Sequence, residues 1–126
     1  MGNALALSLT GLIAVGVIGI GSFYLASPER ISGSFGLKLP AADADTRAWL
    51  RLKGIRDVGA GVLVLTLMLA ADRRTVGIAM LALAIIPFGD MSIILGSGGS
   101  RAKALSIHGL TCAVMVLVGI LLVRGV

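Results

Sequence analysis

Lys53, Arg56, Asp57, Asp90 and His108 are ionisable side chains inside otherwise apolar stretches, and their types and spacing suit acid–base chemistry. Lys53 and Asp57 are four apart and Arg56 is three beyond Lys53, so on a helix cation and anion share a face, with Gly54 and Gly61 beside them. Asp90 follows Pro87 with no adjacent cation, and His108 sits one turn before Thr111 and Cys112. Two carboxyls in unlike surroundings can divide the work of base and acid. Asp57, next to cations, stays ionised and suits the base; Asp90, in an apolar helix, is favoured uncharged and suits the acid. His108 can orient a carboxyl or shuttle the proton. Without distances the two carboxyl roles are interchangeable. With Lys53 and Arg56 charged against both carboxylates and His108 neutral, the cluster sums to zero.

The surroundings of these groups follow from composition. The chain has 126 residues, of which 57% are hydrophobic and 13% charged, and its mean hydropathy is +1.04. Soluble domains carry about 25% charge, so an ordinary cytosolic domain is excluded and an integral membrane protein is expected. The net charge of +5 would suggest nucleic acid in a soluble chain; here it reads as anchoring and topology, and nucleic acid is not an expected partner. Cys112 is the single cysteine, which excludes an intrachain disulfide and a cysteine-built metal site.

Four helices are expected to position the cluster, at about 4–26, 47–71, 75–95 and 102–123. The first is uncharged and too long for a cleaved signal, and no Lys or Arg precedes Arg30, so it is read as retained. Ser27-Pro28 ends it, and a loop rich in Gly, Pro and Asp runs to Thr46. In the second, the clean apolar part 58–71 covers only about 21 Å, so the helix must start near Asp45-Thr46 and carry its charges toward the headgroups. Asp72-Arg73-Arg74 is a tight turn, Pro87 interrupts the third helix, and 96–100 is a flexible turn. The fold class is therefore all-α: a single membrane domain over 1–126, a four-helix up-down bundle. Arg30, Lys38, Arg47, Arg51, Arg101 and Lys103 oppose Arg73, Arg74 and Arg124 across the bilayer, which puts loops 1 and 3 in the cytoplasm. The expected location is the inner or plasma membrane of a bacterium. Ala4, Ser8, Gly11, Gly19 and Ser22 form a stripe of small residues expected to let a neighbour approach the first helix.

Counted from the opposite boundary, Asp57 lies 15 positions from Asp72, Asp90 16 from Arg74 and His108 16 from Arg124. That is about 22–24 Å in each helix, so three spans bring an ionisable group to one height, roughly 6–8 Å inside a 30 Å core. Charges in lipid cost at least about 2.5–3.5 kcal/mol each, so the groups should face inward and pair. Arg51 is expected to snorkel. Tyr24, near the same end of the first helix, is either an interfacial belt residue or, with Lys53, a substrate contact; Trp49 is a belt residue.

Lys53-Gly54-Ile55-Arg56-Asp57 in the second span, Pro87-Phe88-Gly89-Asp90 in the third and His108-Gly109 in the fourth also carry a resemblance. Over nearly its full length the chain resembles a family of small four-span membrane proteins of bacteria and fungi, catalogued as a domain of unknown function. Some of its fungal relatives are linked to epoxide opening in polyketide pathways. The resemblance implies that Lys53, Arg56, Asp57, Asp90 and His108 form the characteristic site; it leaves the reaction open, with epoxide hydrolysis or an epoxide-opening cyclisation of a lipophilic substrate as the expectation.

Two other readings compete. A proton-coupled exporter would use Asp57 or Asp90 to exchange protons for a lipophilic cation, although Lys53 and Arg56 would repel one. A structural subunit would use the polar layer only to specify helix pairing. Neither a cofactor nor a metal is expected: no HExxH, paired CxxC, GxSxG or phosphate loop occurs, and the flanking cations disfavour a metal at Asp57, Asp90 and His108. The expected partners are membrane lipid, a lipophilic small molecule and a second copy in a homodimer, since a chain this short barely encloses a site.

Overall fold

A computed structural model describes residues 2–125. The uncharged N-terminal stretch forms α1 (Gly2–Ala26), and Pro28, which has no N–H to give, opens the one-turn α2 (Pro28–Ser32). After a loop, α3 (Ala44–Ala70) starts slightly earlier than expected because Asp43 is its cap, accepting from the Thr46 amide at 2.8 Å. Asp72 caps α4 (Arg73–Leu83) in the same way, taking the amides of Arg74 at 2.9 Å and Thr75 at 3.1 Å. The helix breaks at Ala84 and resumes as α5 (Ile85–Gly96). Pro87 is the cause: it cannot donate to Leu83, and its ring crowds that carbonyl. The last stretch runs through α6 (Arg101–Lys103), a π-helical turn (Ala104–Gly109) and α7 (Leu110–Arg124).

All regular structure among the described residues is helical. Three stretches, Gly2–Ala26, Arg73–Gly96 and Arg101–Arg124, are long and apolar enough to cross a membrane. α3 is longer still at 27 residues, but its N-terminal half holds Asp45, Arg47, Arg51, Lys53, Arg56 and Asp57.

Close packing centres on two glycine contacts. A Cβ on Gly54 would lie 2.7 Å from the Gly21 carbonyl oxygen and one on Gly21 would lie 2.5 Å from that of Gly54, so α1 and α3 cross with backbones touching. Gly61 against Ala14 continues this contact in antiparallel sense. Gly77 and Gly119 do the same for α4 and α7. The expected stripe on α1 is corrected accordingly: Ala4, Ser8, Gly19 and Ser22 are exposed, Gly11 is only half-buried, and the buried face holds Ala6, Thr10, Ala14, Gly21 and Tyr24. Small residues lay on both sides of α1, and the partner glycines on α3 selected the other one.

Two buried apolar clusters fill the interior, one around Ala14, Val64, Met80 and Met115, the other around Ala6, Val76, Val118 and Leu122. At one end the loops after α2 and α5 meet, with the Ser100 amide donating to the Gly36 carbonyl and Lys103 Nζ to that of Gly33, both at 2.8 Å. At the other end Asn3 donates to the Gly125 carbonyl at 3.3 Å. α3 rests on α1 and α4, and a cavity lies among α1, α3, α4, α5 and the last helical stretch.

Candidate functional site

The cavity has a volume of about 330 Å³ and is lined by one stripe from each long helix. α1 contributes Ile13, Val17, Ile20 and Tyr24; α3 contributes Lys53, Asp57, Ala60 and Val64. Both follow steps of four, three and four residues, which is what holds a row of side chains on one helical face. Met80 and Leu83 of α4 continue into Pro87 and Asp90 of α5, and His108, Thr111 and Met115 complete the wall. In every stripe the polar residue is at the same end. Asp57, Asp90 and His108, expected at one height from counting alone, all line this cavity.

At that end Lys53 Nζ stands 2.6 Å from Asp57 Oδ2. The ammonium also lies 4.7 Å from the ring centroid of Tyr24 and 4.8 Å from that of Phe35, within cation–π range of both. Opposite, His108 Nδ1 is 3.6 Å from Asp90 Oδ2, and His108 Nε2 is 3.2 Å from the Phe35 carbonyl oxygen. A carbonyl only accepts, so Nε2 carries hydrogen. The cavity thus has an imidazole–carboxyl pair on one wall and a carboxylate paired with an ammonium on another.

Local structure explains the aim of His108. It lies in the π-helical turn, where the widened backbone rotates the ring off the regular helical register. Phe35 packs its ring on the imidazole with centroids 4.5 Å apart and caps the polar end. Neither feature was legible beforehand: a single π turn has no residue signature, and Phe35 sits in a loop. Thr111, one turn after His108, lines the cavity but spends its hydroxyl on the Ile107 carbonyl at 2.6 Å. The Cys112 thiol faces the Ala84 carbonyl at the helix break, 3.5 Å away.

Tyr24 is 2% exposed and lies under Lys53, so it belongs to the cavity wall and not to an interfacial belt. Trp49 is exposed, as a belt residue would be. Arg56 is the correction: it is exposed and does not line the cavity. One helical position before Asp57 turns it about 100° away, and of the two cations near Asp57 only Lys53 shares the inward row. Arg51 donates through Nε to the Leu25 carbonyl at 3.2 Å, closing the end of α1. Among the described residues no three His, Cys, Asp or Glu side chains are grouped to hold a metal ion.

A helical chain of this apolarity, with ionisable groups gathered round an internal cavity, is a membrane protein with a built polar site. Residues 14–122 match the family described as Domain of unknown function (DUF4267), which is most of the chain, and the protein belongs to that family. No curated protein and no solved structure matches it.

Proposed function

We propose that the protein is an integral membrane enzyme in which Asp57 is the base and the Asp90–His108 pair the acid, acting on a lipophilic substrate, with epoxide opening as the reaction. One observation carries the reading: two carboxyls line the same cavity in unlike surroundings, one 2.6 Å from an ammonium and the other 3.6 Å from an imidazole. Catalytic contacts of this kind tighten when substrate fills the site.

In the proposed step Asp57 takes a proton from water, or from a hydroxyl of the substrate, while that oxygen bonds to a ring carbon. The ring C–O bond breaks, its electron pair stays on oxygen, and this oxygen takes a proton that the Asp90–His108 pair supplies in this reading. Asp57 then holds a proton that the pair lacks, and one transfer restores both. Lys53 pairs with Asp57 and, with Tyr24, contacts the substrate. Arg56 has no role in this chemistry.

The reading also places α3 as a crossing helix, which makes the fold a four-span up-down bundle, with loops 1 and 3 cytoplasmic in a bacterial inner membrane. What supports α3 as a span is its continuous backbone contact with α1.

The test is diol formation from linear alkyl epoxides by the full chain in lipid nanodiscs, with isotope-labelled water. Asp57→Asn and Asp90→Asn are each expected to lose roughly 10²–10⁴-fold in rate while remaining folded. Activity that survives both changes overturns the mechanism. Flux driven by a pH gradient in proteoliposomes, with no product formed, replaces it with the exporter.

A further inference from the structure

The cavity is long, which bears on what it can hold. Its stripes on α1 and α3 each run over twelve residues, from Ile13 to Tyr24 and from Lys53 to Val64, about 16 Å of helix. Its volume of about 330 Å³ is at the low end of the range for ligand pockets, about 300–1,000 Å³, so over that length it has room for one slender ligand. The polar groups occupy one end only. The other end is blind, closed by Ala14, Met80 and Met115, all buried. Along the sides, the lining residues Ile20, Ile86 and Ile107 are exposed, so the slot opens through an apolar rim toward lipid.

We infer that the substrate is a single-chain amphiphile drawn from the bilayer leaflet nearest the polar end, its reactive group at Asp57 and Asp90 and its chain terminus against Ala14 and Met115. This rests on the acid–base reading and adds the substrate's shape and route. The slot runs parallel to the helices with its polar end near one boundary, as a lipid chain of that leaflet does, so entry is a sideways step without inversion. Phe35, from the loop after α2, stands between Lys53 and His108 at the polar end. The floor acts as a ruler of chain length. Each methylene that no longer fits is expected to cost about tenfold or more in kcat/KM.

Two measurements on the full chain in phosphatidylcholine–phosphatidylglycerol nanodiscs test this. A linear epoxide bearing a diazirine at its chain terminus should crosslink to Ala14, Met80 or Met115, and one labelled next to the epoxide to Pro87 or His108. Crosslinks confined to outward-facing residues overturn the slot. Across a homologous series of linear epoxides, Ala14→Leu should raise the preference for short over long chains at least tenfold, and Met115→Ala should move it the other way. Asp57-dependent turnover with the same preference in both variants, or equal turnover of a polycyclic epoxide, overturns the inference and leaves the acid–base reading standing. Terminus crosslinking in the slot without opening of any epoxide supports the slot and removes the reaction. The crosslinking arm uses the unaltered chain, so it decides the matter even where a floor variant does not fold.

Discussion

The Lys53–Asp57 pair is the interaction on which the site's electrostatics turn. Both side chains are largely removed from solvent, at 30% and 14% exposure, and each neutralises the other. Lys53→Met strands a carboxylate beside an apolar cavity and is expected to cost roughly 1–3 kcal/mol, less than breaking a fully buried pair because some solvent access remains. Removing both charges, as Lys53→Met with Asp57→Leu, should recover most of that stability while abolishing turnover. Thermal unfolding in mild detergent measures it, and a double variant less stable than the single one would contradict the pairing. Arg56→Met, one position off the inward row of Lys53 and Asp57, should change activity little.

Between helices, the decisive contacts are those where no side chain fits. Gly54→Ala puts a methyl 2.7 Å from the Gly21 carbonyl oxygen, so α1 and α3 must separate, at about 1–3 kcal/mol. Gly59→Ala, on the same helix with nothing within 4 Å, should be neutral or stabilise by up to about 1 kcal/mol. Paired unfolding measurements compare them, and equal effects would mean the helices do not touch at Gly54. The helix caps add a pH dependence. Hydrogen bonds from the Thr75 hydroxyl and amide hold the Asp72 carboxyl below its ordinary range, and the Thr46 amide and hydroxyl do so for Asp43. A carboxyl depressed in the folded state contributes stability that is fully present above its unfolded pKa, about 3.9, and is lost as pH falls through the lower folded value. Asp72→Asn should keep the cap acceptor and lose this acid-side slope, read as melting temperature against pH; a slope identical to that of the unaltered chain would exclude Asp72 as its source.

For the whole molecule, the ends sort by side. The loops after α2 and α5 are joined at one end by Lys103 and Ser100, and Asn3 meets Gly125 at the other. Single-cysteine variants on a Cys112→Ser background test the orientation drawn from the charge count. Ala41→Cys, in the loop before α3, should be labelled by a membrane-impermeant maleimide only after the inner face is exposed, and Thr75→Cys, just after α3, from the outside of intact cells. Labelling of both from one side would remove α3 as a crossing; the reverse pattern would invert the topology.

The amino-acid sequence by itself determined the class, the approximate helices and the shared height of Asp57, Asp90 and His108. Hydropathy fixes where a chain leaves water, and a constant rise per residue converts sequence separation into depth. It could not choose between Lys53 and Arg56 as the partner of Asp57, because both lie within one turn of it and only the neighbouring helices define which row faces inward. Nor could it find Phe35 or the π-helical turn beneath His108, since loop conformation and helix widening depend on contacts between residues more than seventy positions apart. The packing face of α1 was equally hidden. Small residues occur on both sides of that helix, and the tertiary structure took the side where Gly21 meets Gly54, because there alone two backbones could come into contact.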